Sequence, residues 1–62
     1  MSMQKAADVI RMRESNGESF HREWEDTVLV IKTMNGVLIF RFPMEYAEAE
    51  GLVKNLDGKV MH

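Results

Sequence analysis

The middle of the chain carries apolar residues in a pattern that paired strands satisfy. Thr27 to Phe42 reads TVLVIKTMNGVLIFRF, two apolar-rich runs flanking Asn35-Gly36. Asn-Gly is the strongest short-range hairpin signal, because both central residues of a type I′ turn need positive φ. A two-residue turn there sets Met34 opposite Val37, Thr33 opposite Leu38, Lys32 opposite Ile39, Ile31 opposite Phe40, Val30 opposite Arg41 and Leu29 opposite Phe42. One face then holds Leu29, Ile31, Thr33, Leu38, Phe40 and Phe42 and suits the wall of a core. The other holds Val28, Val30, Lys32, Met34, Val37, Ile39 and Arg41, too apolar for an ordinary solvated face.

The flanking segments switch to helical spacing. Residues 2–14 place Met3, Ala6, Ala7 and Ile10 on one stripe, with Ser2 as N-cap and Asn16 or Gly17 as the stop. Residues 43–56 start on Pro43, which suits the first turn of a helix. Their stripe is Tyr46, Ala49, Leu52, Val53 and Leu56, with Met44 and Ala47 at its margin. Gly51 falls inside this expected helix, where glycine is unfavourable, and close packing is the simplest reason for it. Asp57-Gly58 is a stop, and the tail 57–62 can add a strand edge through Val60 and Met61.

Residues 15–25 fit two periods. Phe20 and Trp24 lie four apart, as on a helix, and Phe20, Arg22 and Trp24 also alternate as on a strand. The expectation is a loop or short helical turn, with Phe20 and Trp24 plugging the second sheet face. The predicted fold class is therefore α+β, a single domain over 1–62 of order α-β-β-α. It comprises helix 2–14, a connection over 15–25, hairpin 26–42 with its turn at 35-36, and helix 43–56.

Composition adds a constraint on stability. Sixty-two residues without cysteine have neither disulfides nor Cys-based metal sites to supplement a small core. Helix-on-sheet packing and self-association remain. Eight basic against ten acidic residues, net −2, argue against non-specific binding to nucleic acid or membranes. No apolar run approaches a membrane span, and Asp8, Arg11 and Arg13 interrupt the first fifteen residues where a signal peptide would be apolar. A cytoplasmic location is expected.

Candidate chemistry is sparse. His21, Glu23, Glu25 and His62 are the only cluster with metal-capable imidazoles, and they fall short of a fixed ligand set. Ser19 is the one hydroxyl with a histidine close in sequence, and a helix cap explains it equally well. The four glycines are too dispersed for a phosphate loop. No catalytic residues, cofactor or metal are assigned.

Three function classes remain. The leading one is a small non-catalytic protein that self-associates and binds or modulates another protein, in an accessory, regulatory or inhibitory role. Its interface is expected at Val28, Val30, Met34, Val37, Ile39, Trp24 and Phe20, and two hairpins pairing edge to edge would make an economical homodimer. Asp at Val30 or Ile39 is then expected to dissociate the oligomer with less damage to the fold than Asp at Ile31 or Phe40. The second class is a small-ligand or nucleotide module with an intersubunit pocket, in which Arg22, Arg41, Lys32 and Tyr46 contact a planar anion beside Phe20 and Trp24. The third is a ribbon-helix nucleic-acid regulator, which the acid-rich segments 23–26 and 45–50 disfavour.

Overall fold

A computed structural model of the chain describes residues 2–53. The elements are α1 (Met3–Ser15), β1 (Phe20–Glu25), β2 (Val28–Thr33), β3 (Leu38–Pro43) and α2 (Met44–Ala49). The three strands form one antiparallel sheet in the order β1-β2-β3. The α+β class and the two helices are as expected, and the sheet has one strand more than the hairpin alone supplies.

That extra strand is the first correction. Residues 20–25 are a strand, not the connection expected over 15–25, and β2 is consequently the central strand with both edges paired. The link between β1 and β2 is only Asp26-Thr27, and Asp26 takes φ 56. Aspartate tolerates the left-handed region better than most residues, so a two-residue turn forms without glycine. In this register Trp24 pairs with Leu29, Arg22 with Ile31 and Phe20 with Thr33. Phe20 and Trp24 therefore lie on the core face, and not on the second face where a plug was expected.

The hairpin register holds away from the turn and fails beside it. Leu29 pairs with Phe42, Val30 with Arg41 and Ile31 with Phe40, as the sequence predicts. Nearer the turn, Lys32 pairs with Leu38, and a bulge leaves Ile39 as the extra residue. Of Asn35 and Gly36, only Gly36 has positive φ, at 91. The Gly36 N–H donates to the Thr33 carbonyl at 2.9 Å, and the Thr33 N–H to the Val37 carbonyl at 2.8 Å. The loop thus has three residues, Met34 to Gly36, with glycine in the left-handed position, and not the two-residue type I′ turn. The bulge carries a side-chain exchange with it. Leu38 shares the Lys32 face and is exposed, whereas Ile39 packs against the core.

Both helices cover the same side of the sheet. Ala6, Ala7 and Ile10 of α1 join Ala47 and Leu52 over Phe20, Leu29, Ile31 and Phe42 in one buried cluster. Small residues on α1 let its backbone approach the aromatic and branched side chains of the sheet. Phe42 is the pivot, 4.9 Å from the Phe40 ring and stacked at 5.8 Å on Tyr46. No helix among the described residues is long and apolar enough to cross a membrane.

The two helices end on the same device. Ser2 caps α1 by accepting from the Lys5 N–H at 3.1 Å. At its other end Gly17 (φ 100) follows Asn16, with Gly17 N–H bonded to the Glu14 carbonyl and Glu18 N–H to the Arg13 carbonyl. This is a Schellman motif. In α2, Gly51 (φ 70) plays the same part, with its N–H on Glu48 and the Leu52 N–H on the Ala47 carbonyl at 2.8 Å. Gly51 is therefore a helix stop and not a mid-helix residue. The helix expected over 43–56 ends at Ala49, and its face rotates accordingly: Ala47 is buried and Ala49 exposed. Residues 50–53 form the turn that follows, and residues 54–56 of that expected helix and the tail edge at Val60 and Met61 lie outside the described residues.

Alanine at position 51 meets no neighbouring atom, so its cost is conformational alone. Gly51→Ala is expected to lower stability by about 1 kcal/mol, the cost of a left-handed non-glycine residue. A urea titration followed by circular dichroism checks this; an unchanged midpoint would contradict the helix stop.

Candidate functional site

Two regions qualify, a charged cleft beside α1 and the helix-free face of the sheet. The cleft, of about 520 Å³, lies where the last turn of α1 meets the start of β1, between Arg11, Glu14, Glu18, Phe20 and Arg22. Its charges are already engaged. Arg22 is 5% exposed, and its guanidinium binds Glu14 through two bonds, 2.7 and 3.2 Å, while Nε donates to the Leu52 carbonyl at 2.7 Å. Arg13 forms a two-pronged bridge to Glu18 (2.8 and 2.6 Å) and lies over the Phe20 ring at 5.2 Å.

Arg11 completes the pattern by donating to the Glu50 carbonyl (3.0 Å) and carboxylate (2.7 Å) and to Asp8 (3.1 Å). Arg11 and Arg22 thus reach from α1 and β1 to carbonyls in the turn that closes α2, where a helix end leaves such acceptors unpaired. The six-residue α2 is held by its neighbours more than by its own hydrogen bonds. This region is a structural clamp, and its alternating charges leave no net site for an anion.

The sequence-predicted contacts separate accordingly. Arg22 and Tyr46 lie on the helix side, Arg22 on edge strand β1 and Tyr46 stacked on Phe42 of the opposite edge strand. Burial, then the charge of Glu50, raises the Tyr46 phenol above its ordinary pKa. Lys32 and Arg41 lie on the other face of the sheet, with Val30 between Arg41 and Glu23. Within one protomer the four are not brought together with Phe20 and Trp24. The Trp24 indole N–H is buried and has no acceptor among the described residues.

His21 also lies on the helix-free face, on the far side of the sheet from the cleft that contains Ser19. The Ser19–His21 proximity in sequence is therefore not a nucleophile–base pair. His21 instead contacts Glu23 at 3.2 Å, and Glu23 bridges to Lys32 at 2.9 Å. Among the described residues no three metal-capable groups converge.

The helix-free face carries three rows across the sheet: Glu25-Val28-Pro43, Glu23-Val30-Arg41 and His21-Lys32-Leu38. Val30 is 0% exposed, so the long side chains around it leave no open apolar centre. Val28 and Ile39 are half-buried, and Phe20 is buried in the core. Of the expected interface residues, Met34 (68% exposed) and Val37 (61%) remain open, joined at the same end by Leu38 (41%), which the sequence assigned to the core. The exposed apolar surface of the sheet is concentrated at the hairpin tip, and α1 separately exposes Met3 and Met12. Leu38 joins the tip through the bulge, which neither composition nor periodicity marks.

Hydrogen bonds set a pH dependence on both sides of the sheet. Arg13 holds the Glu18 carboxyl below its ordinary pKa, and Lys32, then His21, does the same for Glu23. A carboxyl with a lowered folded pKa adds stability that is complete above its unfolded pKa and is lost as pH falls through the folded one. Thermal midpoints should hold from neutral pH down to the ordinary carboxylate range and fall below it. Glu18→Gln combined with Glu23→Gln should flatten that acid limb; an equally steep limb would show that other groups set it.

Compared with protein-family models, with curated proteins and with solved structures, the chain matches none.

Proposed function

We propose that this is a non-catalytic interaction protein that associates with a second copy of itself through the helix-free sheet face and the hairpin tip, and that modulates another protein in that form. The observation that carries the reading is one-sided coverage: both helices pack on one face, and the hairpin tip at the end of the sheet leaves Met34, Val37 and Leu38 exposed. A small protein that leaves neighbouring large apolar side chains in water is commonly presenting a contact surface.

A second copy is favoured by charge. In the row Glu23-Val30-Arg41, acid and base stand on opposite edge strands. A two-fold axis lying between two such faces, parallel to the strands, sets Glu23 of one copy over Arg41 of the other, with the buried Val30 beneath them and outside the contact. The same axis brings the two hairpin tips together at one end, giving a self-complementary contact. Edge pairing is less suitable than expected from a bare hairpin. β2 has no free edge, and the free edges offer His21, Glu23 and Glu25 on β1 and a bulge and Pro43 on β3, features that discourage strand addition. Sedimentation equilibrium over a concentration series tests the reading: a reversible dimer supports it, and a monomer throughout overturns it.

A further inference from the structure

The hairpin tip also contains a candidate covalent-modification site. Asparagine followed by glycine is prone to spontaneous deamidation, because glycine offers no side chain to hinder its own nitrogen from reaching the asparagine carboxamide. The chain has two such pairs among the described residues, Asn16-Gly17 and Asn35-Gly36, and the fold treats them differently.

Asn16-Gly17 sits in the stop of α1. Asn16 N–H is shared between the Met12 and Arg13 carbonyls, Gly17 N–H is bound to Glu14 and Glu18 N–H to Arg13. The Arg13–Glu18 bridge, at 2.6 and 2.8 Å, closes over the same turn. Moving the Gly17 nitrogen strains all of these together. Asn35-Gly36 lies in a three-residue loop; both pairs are exposed and, among the described residues, neither glycine has an atom within 4 Å of where its Cβ would be, so the difference between them lies in the bonds that hold each turn. The Gly36 nitrogen, like that of Gly17, has one bond to give up; the loop is otherwise closed by Thr33 N–H on the Val37 carbonyl and Val37 N–H on Thr33 Oγ1 at 3.1 Å, and no ion pair among the described residues spans it.

We infer that Asn35 is the preferred deamidation site of the folded protein, set apart from Asn16 by a turn that neither a helix stop nor an ion pair holds. The Gly36 N–H loses its proton to hydroxide, the nitrogen attacks Asn35 Cγ, and the carboxamide nitrogen takes a proton from water and leaves as ammonia while a five-membered imide closes and hydroxide is regenerated. One water then opens the ring. Breaking the Cγ–N bond gives aspartate; breaking the main-chain carbonyl–N bond gives isoaspartate, which adds one carbon to the backbone of the loop. Either product places a carboxylate between exposed Met34 and Val37. The inference stands independently of the self-association reading.

The folded 62-residue chain is incubated at mildly alkaline pH, and peptides are mapped by mass spectrometry with aspartate and isoaspartate separated by chromatography. A parallel sample in concentrated urea gives the rates of both pairs without the fold. The expected result is a ratio of Asn35 to Asn16 conversion severalfold higher in the folded chain than in urea, with Asn35→Gln removing the leading product. A folded-chain ratio equal to or below that in urea, or no conversion at Asn35 when it converts in urea, overturns the inference.

Discussion

Replacing Arg22 by alanine is expected to remove most of the stability of this protein. The guanidinium is buried, bridges Glu14 of α1 in two bonds and donates to the Leu52 carbonyl beyond α2. Deleting it leaves the partly buried Glu14 carboxylate and the Leu52 carbonyl without their donor, a loss of about 2 to 3 kcal/mol. At about 0.05 to 0.15 kcal/mol per residue, a domain of this length holds only a few kcal/mol in total. Arg22→Ala should therefore be partly unfolded at 25 °C.

Arg22→Lys keeps the charge but not the planar fork, and should fall between the two. Arg11→Ala removes bridges that are exposed and should lose about 1 kcal/mol or less. Urea melts of the three variants decide the ranking. If Arg22→Ala costs no more than Arg11→Ala, the clamp is not what holds α1, β1 and the end of α2 together.

The second large effect concerns association. Met34→Asp combined with Leu38→Asp puts two carboxylates where the hairpin tips meet, and should weaken self-association by about tenfold or more. Both side chains are exposed in the protomer, so the far-ultraviolet circular dichroism and the urea midpoint should hardly move. Val30→Asp serves as the contrast. The helix-free face suggested from sequence that Val30 could be changed cheaply, but it is fully buried between Glu23 and Arg41, and an aspartate there should damage the fold itself. Ile39→Asp belongs with it, because the bulge turns Ile39 toward the core. A fold-preserving Val30→Asp that abolished association would return the contact to the centre of the sheet.

The sequence made the outer parts of this fold legible because they rest on local chemistry. Ser2 as a cap, the Ala6, Ala7 and Ile10 stripe, the Gly17 stop and the pairing of Leu29, Ile31 and Val30 with β3 all follow from short-range spacing. What it hid depended on single residues adopting backbone states that their neighbours impose. Asp26 turns the chain at φ 56 without glycine, so the alternation of Phe20, Arg22 and Trp24 looked like a connection and not a strand. Asn35-Gly36 signalled a hairpin correctly, but only Gly36 is left-handed, and the extra residue was absorbed by a bulge that exchanges Leu38 and Ile39 between faces. Gly51 looked misplaced inside a helix because the stop it forms depends on Leu52 reaching back to Ala47.

The candidate site followed the same division. The sequence pointed to unspent apolar surface on the hairpin, and the fold moves it to one end, at Met34, Val37 and Leu38. It also offered Arg22 as a ligand contact, and the fold gives that side chain to Glu14 and Leu52. A pairing thirty residues apart in sequence, between Arg22 and the Leu52 carbonyl, has no local signature.

The most direct test of the central claim is sedimentation equilibrium of the native chain beside the Met34→Asp, Leu38→Asp double variant at matched concentrations. A concentration-dependent dimer for the native chain and a folded monomer for the variant is the predicted result. A native chain that stays monomeric, or a dimer that the two aspartates leave intact, would contradict it.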